Sequence, residues 1–279
     1  MSRDPPGAPP APLHARGRVR FGAIWVDALT AGEALGAVER LVERGAGGAV
    51  FTPNVDHVVL AERDPDLRAA YARADLSLCD GQPLRWLSGW LGLRLPEKIS
   101  GSDLFLPLMS LAARRGFRVF LLGGDPGVAE EAGARLTGEL GVRVVGTACP
   151  RIATPFGPRE EAVALQVAAA RPDLAVVCLG APKGERWIDR ARDHLGGAVA
   201  LQLGASMDFY VGRARRAPGW MQRTGLEWIH RLAHDPRRLA RRYLVRDPAF
   251  VSIAVRTRRL PRAERVRDGA GAAAAHPAG

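Results

Sequence analysis

Cysteine is scarce here, and no two cysteines lie close in sequence. The three, Cys79, Cys149 and Cys178, are odd in number, widely spaced and set in or near apolar runs. There is no CxxC and no Cys/His cluster, which excludes a zinc centre and a disulfide framework as readings. Buried, reduced thiols of a cytosolic protein are expected instead, and no metal ligands are assigned. Long apolar runs are missing too: no stretch reaches the ~18 residues that a spanning helix needs. The opening MSRDPPGAPPAPLHARG contains no apolar h-region and reads as a disordered leader over 1–17. The closing DGAGAAAAHPAG reads as a flexible tail, with disorder expected over 263–279. Neither GxGxxG nor GxxxxGK[ST] occurs, so a nucleotide-cofactor oxidoreductase ranks low.

What is present begins with a core-forming composition. Of 279 residues, 47% are hydrophobic, enough for one sizeable α/β domain or a domain with an appendage. The net charge is +11, and its placement is informative. From Arg213 to Arg267 there are 16 arginines against Glu227, Asp235, Asp247 and Glu264, a net of +12, while the remainder carries −1. A near-neutral body thus bears one strongly basic C-terminal segment, which wants an anionic partner: membrane, nucleic acid or phosphate.

From Arg18 to about Leu203, apolar runs alternate with helical patterns. GAVFTPN (48–54), FRVFLLGG (117–124), VRVVGTA (142–148), DLAVVCLG (173–180) and GAVALQLG (197–204) read as strands, and LSLC (76–79) as a short one. Helical patterns cover 31–44, 65–73, 102–115, 127–140, 158–170 and 184–194. Continuous apolar strands separated by helices predict a Rossmann-like, mostly parallel sheet with helices on both faces, here over 18–211. Ligands of such sheets bind outside the carboxyl ends of the strands, so the exits matter. They read TPN (52–54), DG (80–81), GGDPG (123–127), LGAPKG (179–184) and LGASMDF (203–209). The GGDPG turn precedes a helix near Val128 whose free N–H groups could hold a phosphate, although a plain tight turn is the first reading of a lone Gly-rich stretch.

Residues 212–262 are expected to form a basic, amphipathic, helical membrane appendage. Trp220, Met221, Leu226, Trp228, Ile229 and Leu232 supply an apolar stripe. Arg223, Arg231, Arg237, Arg238, Arg241 and Arg242 supply the basic side. Asp235-Pro236 reads as a break between two helices. Ordinary packing with a solvated basic face is the plainer account of the same pattern.

Taken together, TPN at 52–54, DG at 80–81, GSDL at 101–104, LLGG at 121–124, PGVAEEA at 126–132, LGAPKGERWI at 179–188, RAPGWMQRTGLEWIHRL at 216–232 and DPRRLARRYL at 235–244 resemble the WecG/TagA/CpsF glycosyltransferases. The resemblance spans about residues 18–250. It implies an inverting, metal-independent transfer of a sugar from a UDP-sugar to a polyprenyl-diphosphate-linked saccharide, with no cofactor beyond that donor. It places the reaction at the cytoplasmic face of the cell membrane, in the synthesis of a cell-surface polysaccharide. The expected partners are thus both substrates and an anionic membrane surface, without nucleic acid. Self-association through an apolar face is left open. A basic-tailed nucleic-acid-binding protein is the other alternative.

An inverting transfer needs a base at the acceptor hydroxyl, and positive charge or N–H donors at the leaving diphosphate. Asp80, at a strand exit and matching the family's proposed catalytic carboxylate, is the candidate base; an Asp-Gly turn is the bland alternative. Thr52 is read as orienting Asp80 or binding sugar. Asn54 is read as a sugar contact that also fits a helix cap. Lys183 is a phosphate candidate and Asp208 a ribose candidate, each with a helix-start alternative. Lys98, Asp103, Gly123, Gly124, Pro182 and Glu185 are carried over as substrate-binding positions within the matching motifs. Arg238, Arg241 and Arg242 are expected to neutralise the diphosphate. Two departures stand out: Lys98 where the family usually has Arg, and Gly184 where its LGxPKQE motif has Gln. The DxD-like Asp64-Pro65-Asp66 is read as a helix cap, not a metal motif.

Overall fold

The sequence alternates strand and helix, and the computed structural model, which describes residues 13–152 and 156–269, shows what that alternation builds. The chain opens with strands β1 (Arg18–Phe21) and β2 (Ile24–Asp27), then helix α1 (Ala31–Arg44) and β3 (Gly48–Phe51). Next come α2 (Val55–Ala61), α3 (Pro65–Arg73), β4 (Leu76–Ser77), α4 (Gln82–Leu91) and α5 (Gly101–Arg115). The second half of the body holds β5 (Arg118–Gly123), α6 (Val128–Leu140), β6 (Arg143–Ala148), α7 (Pro158–Ala169), β7 (Leu174–Cys178), α8 (Lys183–Ala191), β8 (Val199–Gln202) and α9 (Ser206–Val211). The basic segment folds into α10 (Gly219–Arg223), α11 (Glu227–His234), α12 (Pro236–Ala240) with a π-helical turn over Arg241–Arg246, α13 (Ala249–Arg259), α14 (Arg262–Arg265) and β9 (Val266–Arg267).

Six strands pair in the order β4-β3-β8-β7-β5-β6, every neighbour parallel. Because side chains alternate along a strand, the two faces carry separate cores. Ala49, Phe51, Ala175, Val177 and Ala200 face α2, α3, α7 and α8. Val50, Val176, Val199 and Leu201 face α1, α5, α6 and α9. This is the expected α/β architecture.

Three features were not expected. The hairpin β1–β2 and the helices α2 and α4 lie outside the expected elements, although RVRF alternates as a strand does and α4 buries Leu84, Ser88 and Leu91 along one face. The tail is not disordered from 263. There α14 turns the chain and β9 pairs antiparallel with β1, Val19 opposite Val266, giving a small sheet β2-β1-β9. The edge of β1 offers unpaired backbone groups, and Val266 buries its side chain beside them. Likewise His14, placed in the leader, binds buried Asp27 at 2.5 Å. Residues 1–12 and 270–279 of the expected leader and tail lie outside the described residues.

The basic segment is also less separable than its composition implied. On α13, Phe250 and Ile253 are buried in the same core as β1, with the Phe250 ring stacked 6.1 Å from Phe21. Burying such side chains contributes roughly 1.5–3 kcal/mol each, so α13 belongs to the folded body as much as to the appendage.

Candidate active site

The site forms where two neighbouring strands end. Parallel pairing sets Phe51 opposite Ser77, so the exits of β3 and β4 run side by side. Past the last paired residues the strands stay joined: Leu78 N–H donates to Phe51 O at 2.8 Å, and Asp80 N–H to Pro53 O at 2.9 Å. Gly81 follows with φ +121°, a conformation that side chains rarely adopt, and the chain turns there into α4. Asp80 is thereby presented, half-buried, beside Asn54. Asn54 caps α2, its Oδ1 accepting from Asp56 N–H at 3.1 Å, and its Nδ2 lies 3.5 Å from Asp80 Oδ2. Both readings of Asn54, cap and site residue, hold together.

Asp80 lies on a cavity of about 320 Å³ between body and appendage. The body side includes Asn54, Gln82 and Lys98; the appendage side includes Trp228, Arg231, Arg242 and Tyr243. Burial pushes the Asp80 carboxyl above its usual range; Arg231 pulls it back most, Glu227 adds to the rise, and Lys98 and His57 also pull it down. A carboxylate desolvated in this way binds a proton more readily, which suits a base. Arg242 donates to Asn54 Oδ1 at 3.3 Å and pairs through Nε with Asp56 at 3.3 Å. Arg246 reaches the same buried Asp56 at 2.5 Å. Through these contacts the appendage is tied to the first turn of α2, directly behind the site.

A second cavity, about 360 Å³, shares Gln82, Lys98 and Gln222 with the first. Asp103 lies on it, but its carboxylate is occupied: it closes the capping box of α5 with Ser100 and accepts Lys98 Nζ at 3.0 Å and Arg216 at 2.5 Å. Burial works against its charge; Ser100, Lys98 and Arg216 outweigh that and hold the carboxyl below its usual range. Asp103 is therefore the anchor that aims Lys98 and is itself already fully engaged.

Several expected contacts line neither cavity. Thr52 is buried and its Oγ1 donates to Gln202 O at 3.3 Å, so it braces β3 against β8. Gly123 and Gly124 serve the approach of β5 to β7: a Cβ on Gly123 would lie 2.4 Å from Cys178 O. Pro182 and exposed Lys183 open α8. Asp208, pushed up chiefly by burial, accepts from Asp125 N–H at 3.4 Å. Glu185 is buried inside the body against His57. Arg241 is exposed, and the side chain of Arg238 lies outside the described residues. Conversely, Arg231, Trp228 and Tyr243 line the site without having been singled out as site residues, although all three lie within the stretches that carry the resemblance. Asp64 accepts from Leu67 N–H at 3.0 Å and pairs with Arg186, and Asp66 pairs with Arg190 at 2.9 Å, so the DxD-like triplet is a helix start.

Gly184 has a particular neighbour. A Cβ built there would meet Gln202 Nε2 at 2.2 Å and its Oε1 at 2.5 Å. A carboxamide from β8 fills the space beside position 184, where the resembled motif carries a glutamine of its own.

A carboxylate at a strand exit, facing arginines from a basic appendage, is the arrangement the resemblance called for. The model of the Glycosyl transferase WecG/TagA/CpsF family matches residues 19–264. The chain belongs to this glycosyltransferase family. It is 30% identical over 201 residues to a Bacillus subtilis (strain 168) protein, N-acetylglucosaminyldiphosphoundecaprenol N-acetyl-beta-D-mannosaminyltransferase, covering 72% of this chain and 77% of that one. Membership sets aside the oxidoreductase alternative. Among the described residues, no helix of this glycosyltransferase is long and apolar enough to cross a membrane.

Proposed function

We propose that this glycosyltransferase moves a sugar from a UDP-sugar, with inversion and without a metal, to a polyprenyl-diphosphate-linked saccharide at the cytoplasmic membrane face, in the synthesis of a cell-surface polysaccharide. The observation that carries the reading is Asp80 facing Arg231 and Arg242 across one cavity. Asp80 takes the proton of the acceptor hydroxyl as its oxygen attacks the anomeric carbon. The bond from that carbon to the diphosphate oxygen breaks, and the electron pair leaves with UDP. Arg231, Arg242 and Lys98 supply the positive charge for that leaving group. The relative from B. subtilis, by its name, transfers N-acetylmannosamine to a diphosphoundecaprenol-linked acceptor, which supports the acceptor class and makes UDP-N-acetylmannosamine the first donor to try.

The outer surface around the site supports docking to an anionic leaflet. Trp86 and Trp90, one turn apart on α4, are 58% and 47% exposed. Val251 and Val255 are exposed on α13, which packs against α4, and Arg258 sits 5.9 Å over the Trp90 ring. Apolar rings and aliphatic groups beside arginines suit the interface of a membrane.

The test is UDP release with a panel of UDP-sugars, a short-chain prenyl-diphosphate-GlcNAc acceptor, liposomes and EDTA. Acceptor-dependent release with one donor, unaffected by EDTA and reduced about 10²- to 10⁴-fold in Asp80→Asn, is expected. Full activity in Asp80→Asn removes Asp80 as base, and release that stops with EDTA removes the metal-independent mechanism.

A further inference from the structure

Asp247 lines the same cavity as Asp80, and its carboxylate is only half engaged. In sequence it is followed by Pro248, the pattern of a helix cap with proline at the first turn. Yet the side chain caps nothing: Phe250 N–H donates to the backbone oxygen of Asp247 at 2.9 Å, and no side-chain bond closes the start of α13. Nor is it closely paired. Arg242 Nε lies 3.7 Å from Asp247 Oδ2 but 3.3 Å from Asp56, which also takes Arg246. Asp247 Oδ1 is buried and has no hydrogen-bond partner among the described residues. The side chain is 11% exposed. Burial pushes its carboxyl up to about 6, with Arg242 and Arg246 pulling it back and Asp56 adding to the rise. The appendage brings two aromatic rings into this cavity as well: Trp228 and Tyr243, with centroids 5.8 Å apart and planes tilted by 59°.

We infer that the appendage carries a saccharide-binding subsite in this cavity: Asp247 accepts hydrogen bonds from the hydroxyl groups of a pyranose, and the Trp228–Tyr243 corner receives the apolar face of that ring.

Three physical points select this ligand. An ionised carboxylate only accepts hydrogen bonds, so what it binds must donate them. It also repels phosphate, which leaves the diphosphate to Arg231 and Arg242. Neighbouring ring hydroxyls are a neutral pair of donors that the two oxygens can meet with charge-assisted bonds. The C–H faces of a pyranose are apolar, and aromatic walls with a few placed polar groups are the usual make-up of a small-molecule site. Finally, a desolvated carboxylate with an unmade hydrogen bond costs stability, and local costs of this kind are kept where function uses them. The inference rests on this cavity being the transferase site, and deepens that reading: the appendage selects a sugar as well as neutralising the leaving group.

The test measures binding by itself, through calorimetric titration of the full-length protein, beside KM and kcat in the UDP-release assay. The probes are UDP, UDP-N-acetylmannosamine, UDP-N-acetylglucosamine and the short-chain prenyl-diphosphate-GlcNAc acceptor. Asp247→Asn should weaken the binding of one saccharide-bearing substrate about 10- to 100-fold. Its KM should rise in step, with kcat changed less than about threefold. Bare UDP should bind unchanged or tighter, since Arg242 loses a neighbouring negative charge. Weakened UDP-sugars place the donor sugar in the subsite; a weakened acceptor places its GlcNAc there. Trp228→Ala should weaken the same substrate and spare UDP. Monodeoxy analogues of that substrate complete the cycle: loss of the hydroxyl that meets Asp247 should cost wild type about 10-fold and Asp247→Asn less than about twofold. Asp247→Ala carries the same readouts should Asp247→Asn fold poorly. Unchanged binding of every probe in Asp247→Asn, UDP weakened as much as the UDP-sugars, equal discrimination of the deoxy analogues by both proteins, or no measurable binding of a saccharide-bearing probe to wild type overturns the inference. If Asp80→Asn keeps its rate, the base assignment fails by itself, and the titrations still report whether Asp247 holds a sugar.

Discussion

A glutamine placed at position 184 has nowhere to go while Gln202 keeps its present rotamer. The backbone there is ordinary helix, so the conflict is steric alone: the new Cβ falls 2.2–2.5 Å from the Nε2, Cδ and Oε1 atoms of Gln202. Gln202 is 3% exposed on β8, which is paired with both β3 and β7, and its carboxamide must push into packed surroundings to make room. Overpacking of this kind costs about 1–3 kcal/mol. At roughly 2–4 °C per kcal/mol for a chain of this size, Gly184→Gln should lower Tm by roughly 2–12 °C. Because Gln202 Oε1 has no hydrogen-bond partner among the described residues, Gln202→Ala strands no hydrogen-bonding group on that oxygen and opens the space. The double variant should therefore be more stable than the two single effects predict, by about 1 kcal/mol or more. Thermal and urea unfolding of the four proteins measure this directly. Wild-type stability in Gly184→Gln, or strict additivity in the pair, would refute the packing argument.

Other predictions address charge and surface. Because Asp80 works ionised and burial raises it from 3.8, the acid limb of kcat/KM should lie above the ordinary aspartate range and vanish in Asp80→Asn; a limb at an ordinary aspartate value would contradict the site's electrostatics. Asp247 is pushed up to about 6, first by burial. Ionising it is easier in the unfolded chain, so its presence costs stability as pH rises from about 4 through 6 and costs a constant amount above that. The Tm advantage of Asp247→Asn should therefore grow from pH 4 to pH 7, and an advantage that shrinks over that range would reverse the assignment. Trp86→Glu with Trp90→Glu should lower Tm modestly, since the rings are 58% and 47% exposed while Trp86 lies against Gly225 and Trp90 under Arg258. It should lower partition onto vesicles containing phosphatidylglycerol at least ~10-fold, each added charge near an anionic leaflet counting for about 1 kcal/mol. Equal partition would place the membrane face elsewhere.

Much of this protein was legible in one dimension because the signals are local. Apolar runs of strand length, helical spacing between them, and turn residues at each exit are set by neighbours in sequence, and they led to the parallel sheet. Asp80 and Asn54 could be singled out because a strand end followed by DG or preceded by TP is itself a local pattern. The basic segment was visible for the same reason. The elements missed, β1–β2, α2 and α4, are short: their signals, the alternation of RVRF, the Asn54 cap of α2 and the one-sided apolar pattern of α4, run over ten residues or fewer.

What the sequence by itself determined, then, is the alternation of elements, the strand exits that could bear chemistry, and the separation of charge between body and C-terminal segment. Only the tertiary structure decided what each polar residue does. Glu185 and His57 are 128 positions apart, and Asn54 and Arg242 are 188 apart, yet each pair is in contact. The parallel sheet lines up exits that are distant in sequence, and the appendage folds back over one end of it. Thr52 proved to brace β3 from outside both cavities and Asp103 to hold Lys98 from the wall of the second, while Arg231, Trp228 and Tyr243 proved to line the first. The physical reason is that hydrogen bonds and ion pairs act over about 3 Å in space, a distance that separation along the chain does not encode.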